Sequence, residues 1–219
     1  MKFVPFKRLA LALITTTVLG GALTACFPLV VGGVAGGAFV ATDRRTSGAQ
    51  LEDEGIELRA TSRIRSNVGE RVHVNLTSYN RQVLLTGEVP NAQDKQLVEQ
   101  IVARVENVNS VVNDLAIMGS STLTQRSSDV LVTGRVKAML VDARDLSSNA
   151  FKVITERGTT YLMGRVTQRE ADRATDIVRG TPGVQKVIRI FEIISEEELA
   201  RMLPAKSAAP AANSKPAGG

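Results

Sequence analysis

The sequence predicts an α+β fold built from two tandem copies of one α-β-β-α-β unit. Three observations carry this. The stretch Leu84-Leu85-Thr86-Gly87-Glu88-Val89 returns as Tyr161-Leu162-Met163-Gly164-Arg165-Val166, a strand with a glycine in its middle, 77 positions later. Each copy runs into a helix start, Asn91-Ala92-Gln93-Asp94 in one and Thr167-Gln168-Arg169-Glu170 in the other; the second has the form of a capping box. After each helix comes a β-branched run, 108–117 and then 184–194, with Val108 and Val184 separated by 76 positions. A period held across a whole strand-helix-strand unit means a duplicated domain.

A helix precedes the strand pair in each copy. Ile56, Ala60 and Ile64 follow Asp53 at helical spacing, and Val132, Val136 and Leu140 follow Asp129 in the same way. Two strands come next, 72–77 with 83–89 and 151–155 with 161–166. Ser78-Tyr79-Asn80-Arg81 and Glu156-Arg157-Gly158-Thr159 read as the hairpin turns, with Asn80 and Gly158 suited to positive φ. A right-handed crossover lays the third strand parallel to its neighbour and leaves both helices on one face of a three-stranded mixed sheet. Each copy is only ~70 residues, a size at which a single core is marginal, so the copies have reason to dock. Gly87 and Gly164 either admit a neighbouring backbone closely or line a ligand site; the packing reading is preferred.

The termini read as address and tail. Residues 1–25 hold Lys2, Lys7 and Arg8 before the apolar run 9–23, which has the form of a secretory signal. Leu23-Thr24-Ala25-Cys26 resembles the lipobox of bacterial lipoproteins, which implies acylation of Cys26; the plainer reading is an ordinary signal peptide. Cys26 is the sole cysteine of the chain, which excludes an internal disulfide. Phe27 rather than aspartate follows it, which the resemblance associates with the outer membrane. Residues 26–50 read as a tether and linker. Residues 196–219 read as a short helix begun at Ser195 and a tail of Ala, Pro, Ser, Lys and Gly too poor in apolar residues to build a core. Of 27 basic residues, three precede Cys26 and two lie in the tail, which leaves 22 against 22 acidic. The folded part therefore gives no bulk case for nucleic acid.

The Asp-x-x-Ile helix, the hairpin, the Leu-x-Gly-x-Val strand, the capped helix and the Val-x-x-Val ending together resemble the BON domain. The likeness spans Ala41–Ile194 and includes Asp43-Arg44-Arg45. It predicts BON domains at 51–119 and 126–195. It implies a periplasm-facing outer-membrane lipoprotein that supports membrane integrity and binds anionic phospholipid (phosphatidylglycerol or cardiolipin) through its second domain. The last helix and tail go beyond the resemblance.

The residues themselves can be asked where lipid would touch. With Val132 centred on the core, Val136, Met139 and Leu140 fall inside. Val130, Leu131, Gly134, Lys137, Ala138 and Val141 fall outward or on the flanks, with Arg135 at the border. That face is apolar and basic. The matching positions of the first copy are Glu54, Gly55, Leu58, Thr61, Ser62 and Arg65, a polar face with an acid. An apolar strip edged by cations suits an anionic interface. The competing reading packs Leu131, Ala138 and Val141 against the first domain. A competing function is a protein-interaction scaffold for outer-membrane assembly or division proteins. Nothing in the sequence suggests an enzyme, a cofactor or a metal. His73 is the sole histidine and reads as an edge side chain, and the run 32–37 lacks the lysine of a phosphate loop.

Overall fold

The computed structural model describes residues 43–202. Cys26, the tether before residue 43 and the tail after residue 202 lie outside them.

Helix α1 (Ser47–Val68) opens the first domain, capped by Thr46 accepting from the Ala49 amide. The hairpin β1 (His73–Tyr79) and β2 (Gln82–Val89) follows, then α2 (Ala92–Ala103), capped by Asn91. The strand expected over 108–117 is interrupted. It forms β3 (Ser110–Asn113) and β4 (Ala116–Ile117), both parallel to β2 and in one register, with Asp114-Leu115 between them. The first sheet is accordingly four-stranded where three were expected. Helix α3 (Leu123–Asp142), β5 (Lys152–Glu156), β6 (Thr159–Val166), α4 (Gln168–Arg179) and an unbroken β7 (Lys186–Ile193) repeat the plan in the order β5-β6-β7. The capping box of α4 is present, with Thr167 and Glu170 each holding the other's amide. A last helix, α5 (Glu196–Met202), begins at Ser195 and buries Leu199.

Both first helices start earlier than the aspartates that flagged them, by six residues each. Asp53 and Asp129 lie inside α1 and α3, are buried, and reach the hairpin turns. Asp53 accepts from the amides of Asn80 and Arg81 at 2.7 Å each, and from the Ser78 hydroxyl. Asp129 accepts from the amides of Arg157 and Gly158 at 2.8 and 3.0 Å. Asn80, Arg81, Arg157 and Gly158 all have positive φ, so each carboxylate captures the donors that a left-handed turn exposes. Ser78 and Tyr79, expected in the first turn, belong to β1.

Each domain packs its two helices on one sheet face. Ile56, Ala60 and Ile64 meet Val83, Leu85 and Val98 in the first core; Val132, Val136 and Leu140 meet Leu162, Val166 and Ala174 in the second. The residues that alternate with these point the other way. Leu84 of β2, Tyr79 of β1, Tyr161 and Met163 of β6 and Ile190 of β7 form a third core, in which the two sheets meet. The central strands β2 and β6 are thus buried on both faces.

Gly87 and Gly164 serve the strand pairing within each domain. A Cβ on Gly87 would collide with the carbonyl oxygen of His73, and one on Gly164 with that of Ala150. Gly87 also has φ +110, a region that side chains avoid. Close backbone approach, not a ligand, accounts for both.

Polar contacts border the third core. Glu88, 1 % exposed at its side chain, accepts from Arg157 of the second domain at 3.1 Å and lies 2.9 Å from His73 Nδ1. Asn75 donates to Glu156 at 2.9 Å, and Tyr161 donates to Asp114 at 2.5 Å, which gives the break in the third strand a use. Arg44 is buried and paired with Glu170 through two bonds of 2.7 Å, and also donates to the Arg165 carbonyl. Arg45 pairs with Asp53 at 2.7 Å and lies 4.3 Å over the Tyr79 ring. Consecutive arginines of the linker therefore hold one domain each. His73 does sit on an edge strand, but half-buried and engaged.

Burial alone would raise the carboxyls of Glu88 and Glu170. The Ser121 amide, His73 and Arg157 outweigh it at Glu88; Arg44 and the Thr167 amide outweigh it at Glu170. Both are held below the ordinary value of 4.5. A carboxyl lowered on folding adds stability that is complete above its unfolded value and is lost as pH falls through its folded value. The chain should therefore keep its denaturation midpoint from neutral pH down to about 4.5 and lose it steeply below, with a smaller drop in Glu88→Gln. Gly87→Ala and Gly164→Ala should each cost about 1–3 kcal/mol in urea unfolding. Gly134→Ala should gain up to ~1 kcal/mol, because a Cβ there meets open space within a helix.

Candidate lipid-facing helix

The second domain carries its candidate site on α3. Thr122 and Gln125 close a capping box at its start. Asp129, Val132, Val136 and Leu140 are buried at helical spacing and fix the rotation of the helix about its axis. All seven outward positions are exposed: Val130, Leu131, Gly134, Arg135, Lys137, Ala138 and Val141. Val130, Leu131 and Val141 are 70, 62 and 68 % exposed. The structure thus brings these residues to one surface. The competing reading, in which Leu131, Ala138 and Val141 pack on the first domain, is not met, because the sheets supply that contact instead. Met139, assigned to the core from its spacing, is 46 % exposed. It lies beyond the buried stripe and joins the outward surface.

Leu123, at 80 % exposure, extends the apolar strip toward the helix start. Five of the ten exposed large apolar side chains among the described residues lie on this one helix, a concentration that marks an interaction surface. The helix exposes no carboxylate between Leu123 and Val141, since Asp129 is committed to the hairpin. Arg135 rests against the Pro182 carbonyl at 3.4 Å. Lys137 makes no hydrogen bond or ion pair among the described residues.

Two clefts flank the helix. A groove of about 620 Å³ lies between α3, the edge of β5, and His73 and Asn75 of β1; Val130, Gly134 and Lys137 border it. A smaller cleft of about 330 Å³ runs along the other half of α3 and is lined by Asp43, Lys137, Val141 and Phe151. Lys137 borders both. The Asp43 side was not foreseen from sequence. Its one signal was the run Asp43-Arg44-Arg45, in which Arg44 is held by residues more than a hundred positions away.

Chemically, this surface offers apolar area and positive charge. Among the described residues no cluster of His, Cys, Asp and Glu could hold a metal ion, and no helix is long and apolar enough to cross a membrane.

Comparison with known proteins places these features in a family. The BON domain model matches residues 53–119 and again 128–194. The outer membrane lipoprotein DolP of Haemophilus influenzae is 39 % identical over 197 residues, which is 89 % of this chain and all of the relative. The 21 kDa hemolysin of Actinobacillus pleuropneumoniae is 29 % identical over 154 residues, covering 69 % of this chain and 79 % of that protein. With two matched copies and a relative aligned over its whole length, the chain belongs to the BON domain family.

Proposed function

We propose that this protein is an envelope module, anchored to the outer membrane through acylated Cys26 and facing the periplasm, that recognises anionic phospholipid with the outward face of α3. The observation that carries the reading is the exposure of that face. Domain docking is met by the sheets, so Leu131, Ala138 and Val141 have no partner within the described residues to explain them. Burying an apolar strip at the boundary of headgroups and acyl chains supplies the hydrophobic part. Arg135 and Lys137 supply the charge, each adding ~1 kcal/mol toward an anionic surface. The relative named as an outer membrane lipoprotein supports the location. Phosphatidylglycerol and cardiolipin are the headgroups this charge would select over neutral ones.

The test is vesicle flotation of the chain from residue 26 onward with Cys26→Ser, so that no acyl group contributes. Flotation should require phosphatidylglycerol or cardiolipin and should weaken with salt. Lys137→Glu changes the surface charge by two and should weaken binding about 30-fold from charge alone. Adding Leu131→Glu should abolish it while the far-ultraviolet circular dichroism stays unchanged. Absence of flotation on every vesicle would exclude lipid recognition by this helix and leave the same surface to a protein partner of the envelope.

A further inference from the structure

The sheet faces are buried, but a small sheet also ends in edges, where backbone donors and acceptors have no neighbouring strand. In the first sheet the edges are β1 and the interrupted β3–β4; in the second they are β5 and β7. Three of the four are blunted in ways that discourage another chain from pairing. The third strand of the first sheet is broken at Asp114-Leu115 into pieces of four and two residues. Strand β5 is five residues long and opens with the exposed Lys152. Strand β7 exposes Lys186, Arg189 and Glu192. Strand β1 has none of these devices. Its seven residues include no Lys, Arg, Asp, Glu or Pro, and they pair one-to-one with β2 without a bulge.

The side chains beside that edge are open as well. Val72, Val74 and Leu76 alternate toward the first core yet are only half-buried. With Leu58 of α1, itself 74 % exposed, they line two clefts of about 590 and 250 Å³. The clefts share Thr61, Arg65 and Leu76, so they form one groove between α1 and β1. Its border carries Glu54, Glu57 and Glu70 against Arg65, three carboxylates to one guanidinium. The opposite face of β1 is already engaged: His73 lies against Glu88, and Asn75 donates to Glu156.

A free backbone ladder beside an apolar groove suits an extended segment. Main-chain bonds to the edge supply affinity, and every second side chain enters the groove. A helix laid there would leave the ladder unpaired. The negative border favours basic residues on the incoming chain. We propose that the first domain binds an extended, basic-flanked segment of a partner protein as an added strand on β1, with alternate apolar side chains in the α1–β1 groove. The site lies on the first domain and does not depend on the lipid reading of α3. The equivalent groove of the second domain, between α3 and β5, is bordered by Arg126 and Lys137, so the preference for a basic segment belongs to the first copy.

The experiment uses the unacylated chain from residue 26 onward with Cys26→Ser, without vesicles. The probe is a blocked heptapeptide, Lys-Val-Thr-Val-Thr-Val-Lys, carrying a fluorophore. Its anisotropy should rise to saturation with added protein, and amide hydrogen exchange should slow along β1 but not along β7 or α3. Exchanging both lysines of the peptide for glutamate should weaken binding about tenfold. Glu54→Lys with Glu70→Lys, both at exposed positions, should reverse that preference while the circular dichroism stays unchanged. Two further peptides, methylated at the amide nitrogens of the valines or of the threonines, keep every side chain and each lose the donors of one strand edge. At least one of them should lose binding. Absence of saturable binding at millimolar peptide, slowed exchange away from β1, or equal binding by both methylated peptides would overturn strand addition at this edge.

Discussion

The structure depends on burying the second face of each central strand. A two-helix layer covers one side of a small sheet and leaves the other side bare. In β2 and β6 that bare side carries Leu84, Tyr161 and Met163, all at most 1 % exposed. They are buried because the two sheets meet there, with Tyr79 and Ile190 completing the contact. Neither domain could leave this face in water at a tolerable cost, since each domain's own core is small. The pairing of the copies is therefore part of the fold. It also decides what is free for function: with the sheets turned inward, the helices are the surfaces left facing out.

Polar groups at the edge of this contact define one arrangement. An apolar sheet face fits its partner in several registers; a buried carboxylate with a single set of donors does not. Glu88 reaches His73 and Arg157, and Glu170 reaches Arg44, in each case from under 5 % side-chain exposure. Losing one partner of such a pair strands a charge, so slipped arrangements are penalised more than the correct one is rewarded. The same logic operates within each domain at Asp53 and Asp129. There a helix carboxylate and a strained turn satisfy one another, which couples the hairpin to the helix that packs on it.

Much of the fold was legible in sequence because it is written in local periods. The 76-residue repeat, the alternation in the strands and the capping box at Thr167 all depend on neighbours within one element. The misreadings arose where a residue answers to something distant. Asp53 and Asp129 look like helix starts by spacing, yet they serve turns 27 to 29 positions later. Tyr79 looks like a turn residue and is core, because the face it needs belongs to the other domain. Met139 sits at the edge of an apolar arc, where a few degrees of helix rotation decide burial. The seven outward positions of α3 were placed correctly, since amphipathic spacing alone determines them. That the linker would meet α3 at Asp43 had no local signature.

Duplication lets the two copies divide the work. Both must keep the residues that build a core and the residues that face the other sheet, so neither class can diverge freely. The outward helix faces are under no such constraint. In α1 that face carries Glu54, Thr61, Ser62 and Arg65, a solvated surface interrupted by Leu51 and Leu58. In α3 it carries Val130, Leu131, Ala138 and Val141 with Arg135 and Lys137, and exposes no acid until Asp142. An exposed apolar strip on a helix is a liability toward aggregation unless something covers it. The cost is accepted along a whole face on only one of two equivalent helices. On the other, the open apolar surface is confined to Leu51, Leu58 and the groove beside β1. A cost borne so unequally by two copies of one fold is the pattern expected of surfaces kept for different uses.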